Sequence, residues 1–256
     1  MPALFKTEKP VTTVSEFLEL VQREKLQEEK NGNEDDFIFR GQRRIDEPLL
    51  PKLGRKGLKG TLLEVERSMF TEFKRVSVPM IEYRPANQWD WLALAQHHGL
   101  PTRLLDWTDN ALAALWFAVR NLPCQAAESK LIDGVVWILK PTKTDFVTVN
   151  TDTKKTLFTS KKTRIFRPKV ISRRIAAQGG CFTVHAYIKD NRFVPLEKNT
   201  TRLAHKLVKV PVLAKKFASL RKELRTYGVN HLSMFPDLDG VGRHLEWRYM
   251  GYDDEP

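Results

Sequence analysis

Apolar residues along this chain fall into two spacings, a helical one of three and four and short unbroken runs of strand length, and the switches between them divide it into elements. Thr13-Val-Ser-Glu16 has the form of a capping box ahead of Phe17, Leu20, Val21 and Leu26, which predicts an amphipathic first helix. Charged residues and a glycine from Glu28 to Asp36 end it, and Phe37-Ile-Phe-Arg-Gly-Gln42 begins a strand abruptly. Leu62 to Val76 predicts a second helix with Val65, Met69, Phe70 and Phe73 inward. Asn87 can cap a third, with Asp90 in its first turn and Gly99 and Pro101 closing it. Leu104 and Leu105 then lead a short buried strand into Asp106-Trp107-Thr108, and Asp109 or Asn110 caps a helix carrying Ala111, Leu112, Leu115, Trp116 and Val119.

Beyond that centre, Gly134 to Leu139 reads as a buried strand and Thr142 to Thr163 as a polar, basic excursion. Strand character resumes from Phe166 to Ile175, and Ala177 to His185 sets two glycines before an alternating strand. Leu207 to Val212 predicts another strand, and Ala214 to Tyr227 a helix stopped by Gly228. Met234 to Gly240 reads as a turn, before a last helix from Val241 to Tyr249. Strands interleaved irregularly with helices predict an α+β fold, a mixed or antiparallel central sheet flanked by helices. Residues 1–36 read as an N-terminal helical segment packed on the domain, and 37–256 as a single domain with its basic excursion around 142–175.

The 256 residues, 41% of them hydrophobic, suffice for one sizeable core. The longest apolar run, Ala111 to Val119, is too short to span a bilayer, and MPALFKTEKP lacks a signal peptide's apolar stretch, so a soluble cytoplasmic protein with no membrane partner is expected. Cys124 and Cys181 supply neither a disulfide framework nor a metal set, and both are expected to be plain buried thiols. Lys and Arg number 43 against 31 Asp and Glu, a net charge of +12. From Lys154 to Arg174 nine residues are basic and none acidic, with Phe158 and Phe166 between them. Lys161, Lys162, Arg164, Arg167 and Lys169 are the candidate nucleic-acid contacts of this stretch, for DNA or RNA; the alternative is an ordinary solvated face.

Candidate chemistry gathers where the central strands end. Gln96, His97, His98, Thr102, Arg103, Asp106 and Thr108 are polar residues set in core-like sequence, and each needs a partner if buried. They read either as a pocket wall or as local pairing of Asp106 with Arg103 and capping of the next helix. Arg40, delivered by an apolar strand, is suited to a phosphate or carboxylate fork, or to an ion pair with an acid such as Asp106. Gly41 beside it lets the chain turn or a ligand come close. Adjacent His97 and His98 do not point at one metal, and no metal is expected. Gly54 to Gly60 is basic and glycine-rich but matches no phosphate-loop pattern, and Asp237 and Asp239 are read as turn residues.

Phe39-Arg40-Gly41, the run Ala95-Gln-His-His-Gly-Leu-Pro-Thr-Arg-Leu-Leu-Asp-Trp-Thr108 with Ala114-Leu-Trp-Phe-Ala118, then Ala177 to Thr183 and Phe235 to Gly240, resemble the FRG domain in that order from Phe37 to about Arg243. A looser likeness is to ADP-ribosyltransferases, and it implies a split sheet with NAD bound in it as substrate. On that likeness Arg40 clamps the pyrophosphate and Thr108, with Asp106, touches the ribose, while Gly41, Gln96, Thr102 and Arg103 complete the candidate nucleotide site. Asp106, Gln178 and His98 are the catalytic candidates. Gln178 stands where those enzymes have a Glu, and an amide cannot supply the charge that an oxocarbenium-like centre needs, so Asp106 serves instead or transfer is lost. The implied functions are NAD binding with ADP-ribose transfer to a nucleic-acid or nucleotide acceptor, nucleotide binding without turnover, or an interaction domain using the basic surface.

Overall fold

Short β-branched and aromatic runs supply the strands of a central sheet, seen in a computed structural model that describes residues 4–55, 61–81, 84–126, 130–147, 157–158, 160, 162–168, 179–187, 192–199, 202–252 and 254. The strands are β1 (Lys6–Thr7), β2 (Ile38–Gln42), β3 (Leu104–Thr108), β4 (Cys124–Gln125), β5 (Leu131–Ile132), β6 (Gly134–Leu139), β7 (Arg164–Phe166), β8 (Gly180–Val184) and β9 (Leu207–Val212). Seven of them form one mixed sheet in the order β1-β9-β6-β2-β3-β8-β7, while β4 and β5 make a separate pair. Among the described residues β1–β9 is the one parallel pairing between strands of this sheet, so the fold is α+β around a largely antiparallel sheet.

The helices are α1 (Val14–Lys30), α2 (Leu62–Ser77), α3 (Gln88–His97), α4 (Ala111–Val119), α5 (Phe217–Thr226), α6 (His231–Met234) and α7 (Leu238–Met250). The capping box of α1 forms, with Thr13 accepting from the Glu16 amide, and Asn87 and Asn110 cap α3 and α4. Phe17 and Leu20 are buried, but Leu26 is 50% exposed; Glu24, on the inward face seven residues after Phe17, is buried instead between Lys6 and Lys140 at 2.6 and 2.7 Å. The last helix starts three residues earlier than its apolar spacing suggests, because Asp237 accepts from the Gly240 amide and caps it. A 3-10 turn, Ala214–Lys216, replaces the first turn read for α5. Strand β7 is shorter than read, and 169–175 lie outside the described residues.

Alternation along the strands sorts the core. On one face Phe39, Val136, Ile138 and Val208 pack under α1, α4 and α5, and Leu104, Phe166, Phe182 and Val184 pack with α3 and Phe70 of α2. On the other, Ile38, Leu105, Trp107, Trp137 and Cys181 are covered by Leu49, Leu196 and Leu203 from the connecting segments. The sheet's centre is thinly sewn. Five residue pairs join β2 to β6 and five join β3 to β8, but β2 and β3 share a single pair, Phe39 opposite Thr108. No helix among the described residues is long and apolar enough to cross a membrane.

Candidate functional site

Past Phe39 and Thr108 the two central strands part, and the side chain that spans the parting is Arg40. Its Nη1 donates to the backbone carbonyl of Asp106 at 2.7 Å, doing for β3 what a ladder partner would otherwise do. The Asp106 carboxylate is farther, with Oδ2 3.9 Å from Nη1. The two groups differ sharply in exposure, for the Arg40 side chain is 16% exposed and that of Asp106 60%. Arg40 Nε is buried and has no acceptor among the described residues. Burial lowers the guanidinium's pKa to about 10; Asp106 opposes that shift, and Arg55 adds to it. Arg40 stays charged at neutral pH, but its compensation is incomplete.

Behind Asp106 stands the last turn of α3. Gln96 Nε2 donates to both carboxylate oxygens at 3.2 and 3.3 Å, and its Oε1 accepts from the Thr102 hydroxyl at 2.7 Å. Thr102 is fully buried and its Oγ1 accepts from the Leu104 amide, so it positions Gln96 and the start of β3 and does not face a ligand. Arg103 also turns away. It is wholly buried against Glu66 of α2, with Nη2 2.6 Å and Nε 3.0 Å from Oε2. The Tyr187 hydroxyl donates to the same carboxylate, and the rings of Phe158 and Tyr187 lie 5.1 and 4.3 Å from the guanidinium carbon. Arg103 is thus paired with Glu66 and not with Asp106, although its buried Nη1 has no partner among the described residues. Glu66 is buried on the face of Phe70, a placement that its polar neighbours in the sequence conceal.

The face of the sheet that carries Arg40 holds a second polar run. Trp107 Nε1 donates to Thr183 Oγ1 at 3.0 Å, and Thr183 Oγ1 lies 3.1 Å from His185 Nε2. Burial, then the charges of Arg40 and Arg103, push the His185 imidazole down to about 3, so it is neutral near pH 7. Burial likewise pushes the Cys181 thiol up to about 12, which makes it inert; Cys124 is only half-buried, not the buried thiol expected.

Several remaining candidates have local explanations. A Cβ on Gly41 would collide with the Ala114 carbonyl and the Ala118 amide, so the glycine admits the backbone of α4 and not a ligand. Thr108 is buried, and its hydroxyl accepts from the Asn110 amide, closing the turn into α4. Gln178 lies outside the described residues; Gly179 has φ +53°, a backbone conformation that favours glycine, and lies against the Asp109 carboxylate. His98 is exposed at the end of α3, its ring edge-on to His97 at 5.0 Å.

Of the basic stretch, Lys162, Arg164 and Arg167 are exposed, and Lys161 and Lys169 lie outside the described residues. Strand β7 is the sheet's outer edge, three places from β2 and so about 14 Å away by strand spacing. There a cavity of about 380 Å³ is lined by Thr144, Asp145, Lys162, Thr163, Arg164, Arg202 and Leu203. Asp145, its one acid, is taken by Lys206. Among the described residues no group of three or more His, Cys, Asp or Glu is placed to hold a metal ion.

No curated protein and no solved structure matches this chain. Residues 35–126 match the FRG domain, and this span holds Arg40, Gly41, Glu66, Gln96, Arg103 and Asp106, whereas the Ala177–Thr183 and Phe235–Gly240 blocks lie beyond it. The strand, the buried ion pair and the helix that make the parting and brace it thus lie within the segment, residues 35–126, that is similar to the FRG domain.

Proposed function

We propose that this protein binds a nucleotide with a pyrophosphate, NAD foremost, where β2 and β3 part, and that Arg40 is the fork for the phosphates. The observation that carries this reading is the state of the guanidinium. It is largely buried, its Nε has no acceptor, and its nearest acid stands 3.9 Å off and turned to solvent. A cation so placed gains from an anion that can approach it closely, and a phosphate accepts two parallel N–H bonds from one arginine. Asp106, backed by Gln96, is open to a ribose hydroxyl. In ADP-ribose transfer it is also the carboxylate that would face the positive charge developing at the ribose carbon. The ADP-ribosyltransferase likeness of Arg40, Thr108 and Gln178 supports the same ligand.

Thermal unfolding with added NAD tests the binding. A ligand at about 100 times its Kd stabilises the folded state by about 2.7 kcal/mol, so the midpoint should climb steadily with NAD and stay fixed with nicotinamide alone. No rise at about 1 mM NAD or above contradicts the reading. Release of free nicotinamide separates a transferase from a binder, and Asp106→Asn should stop release while binding persists.

The edge cavity favours a second reading, in which Lys162, Arg164 and Arg202 hold the backbone of a nucleic acid. Affinity for DNA or RNA should then fall steeply with salt, and replacing all three by Ser should flatten the slope by about three charges. Binding that is indifferent to salt leaves the cavity a solvated basic face.

A further inference from the structure

Beside the edge cavity lies a second one, of about 270 Å³, and Arg202 lines both. The two differ in what they offer a ligand. In the edge cavity Lys162, Arg164 and Arg202 are exposed, and none of them forms an ion pair among the described residues. In the second cavity the charges largely cancel within the wall, where Lys140 Nζ lies 3.1 Å from Glu28 and Lys6 Nζ 2.6 Å from Glu24. Its other polar groups are the amides of Asn31 and Asn33, the Thr142 hydroxyl and the His205 ring. Asn33 Nδ2 donates to the Pro141 carbonyl at 3.3 Å and Thr142 to Asp145 at 3.0 Å, whereas Asn31 and His205 are exposed.

Unbalanced cations beside a charge-balanced polar hollow are complementary to a phosphate beside a base. A side-chain amide matches the donor and acceptor edge of a base, and an arginine plane stacks on its face. The second cavity falls just short of the roughly 300 Å³ at which pockets for drug-sized ligands begin, which suits one ring system. In a duplex the bases are paired and stacked, and its grooves are read by a helix or a two-stranded ribbon that projects into them. Here the surface is hollow, walled by β7 and the 3-10 turns Lys143–Asp145 and Ala204–Lys206, so the nucleic acid must reach into the protein. We propose, on the nucleic-acid reading of the edge cavity, that the two cavities together bind a single strand. Its phosphates run along Lys162, Arg164 and Arg202, and an unstacked base enters the second cavity against Asn31 and His205.

Fluorescence anisotropy of the full chain with labelled oligonucleotides of about ten nucleotides, within the span of common single-strand sites, tests this. A merely basic face prefers the duplex, whose phosphates are denser and whose salt slope per contact is steeper. This chain should instead bind a single strand, of DNA or of RNA, at least about tenfold more tightly than the matching duplex at equal salt. Asn31→Ala should weaken the single strand by about fivefold, the worth of one hydrogen bond, and leave the salt slope unchanged. Arg164→Ser should flatten that slope. Asn31 and Arg164 are both exposed, so neither substitution disturbs the core. A duplex bound as tightly as the single strand, with a steep salt slope, overturns the single-strand proposal and leaves the edge cavity a nucleic-acid face. A single-strand preference that Asn31→Ala does not reduce overturns the base contact. No salt-dependent binding of either form removes both readings.

Discussion

At Gly41 and Arg40 two neighbouring residues of one motif serve opposite ends. Gly41 exists for packing: with the Ala114 carbonyl in the way of any Cβ, Gly41→Ala must push α4 off the sheet. The expected cost is about 3 kcal/mol, the upper end for overpacking, since backbone blocks the way and cannot rotate aside; chemical denaturation measures it, and a loss below about 0.5 kcal/mol would mean that α4 sits farther away. His185 gives a residue-scale pH signature. Its pKa is about 3 when folded and near 6.5 when unfolded, so below about pH 6.5 the unfolded chain binds the extra proton. Stability should therefore fall as pH drops from 6.5, by at most about 1.4 kcal/mol per unit for this one group. Between pH 6.5 and 5 most carboxylates do not yet titrate, and there His185→Gln should show a shallower decline than the wild type. Equal slopes would show that the imidazole is not buried neutral.

Between elements, what the sequence disclosed and what it hid have distinct physical reasons. Caps and apolar periods are local, so Thr13, Asn87, Asn110 and the strand from Leu104 to Thr108 were legible, as was the meeting of Arg40 with Asp106 at strand ends. The parting of β2 from β3 was not legible, because pairing register depends on partners 69 residues apart, Phe39 and Thr108. Nor was the partner of Arg103. A Glu among polar residues of an amphipathic helix looks solvated, yet Glu66 precedes the inward Phe70 by four and shares its face. That buried pair ties α2 to β3 and gives an element-scale test. Glu66→Ala should cost about 3 to 5 kcal/mol by stranding the guanidinium, whereas Glu66→Leu with Arg103→Met should recover most of it, since a buried pair replaced by apolar groups is often neutral. Urea unfolding of the single and double variants would decide, and a single variant as stable as the double would mean that the pair is solvated.

For the whole molecule, the net charge of +12 and an under-compensated guanidinium at the centre of the sheet both favour anions, but they differ in what they recognise. A charged surface attracts any polyanion, whereas on the proposed reading Arg40 at the parting of two strands would hold one phosphate group in one orientation. The discriminating substitution is Arg40→Lys, which keeps the positive charge near the Asp106 carbonyl but removes the planar fork. Titration calorimetry of NAD into the wild type and Arg40→Lys, with both shown to unfold cooperatively, tests the account most directly. The account predicts saturable binding by the wild type and at least about a tenfold loss of affinity in the variant, some 1.4 kcal/mol. Heat absent from the wild type at millimolar NAD, or equal affinity in the two proteins, would contradict it and leave Arg40 a structural brace.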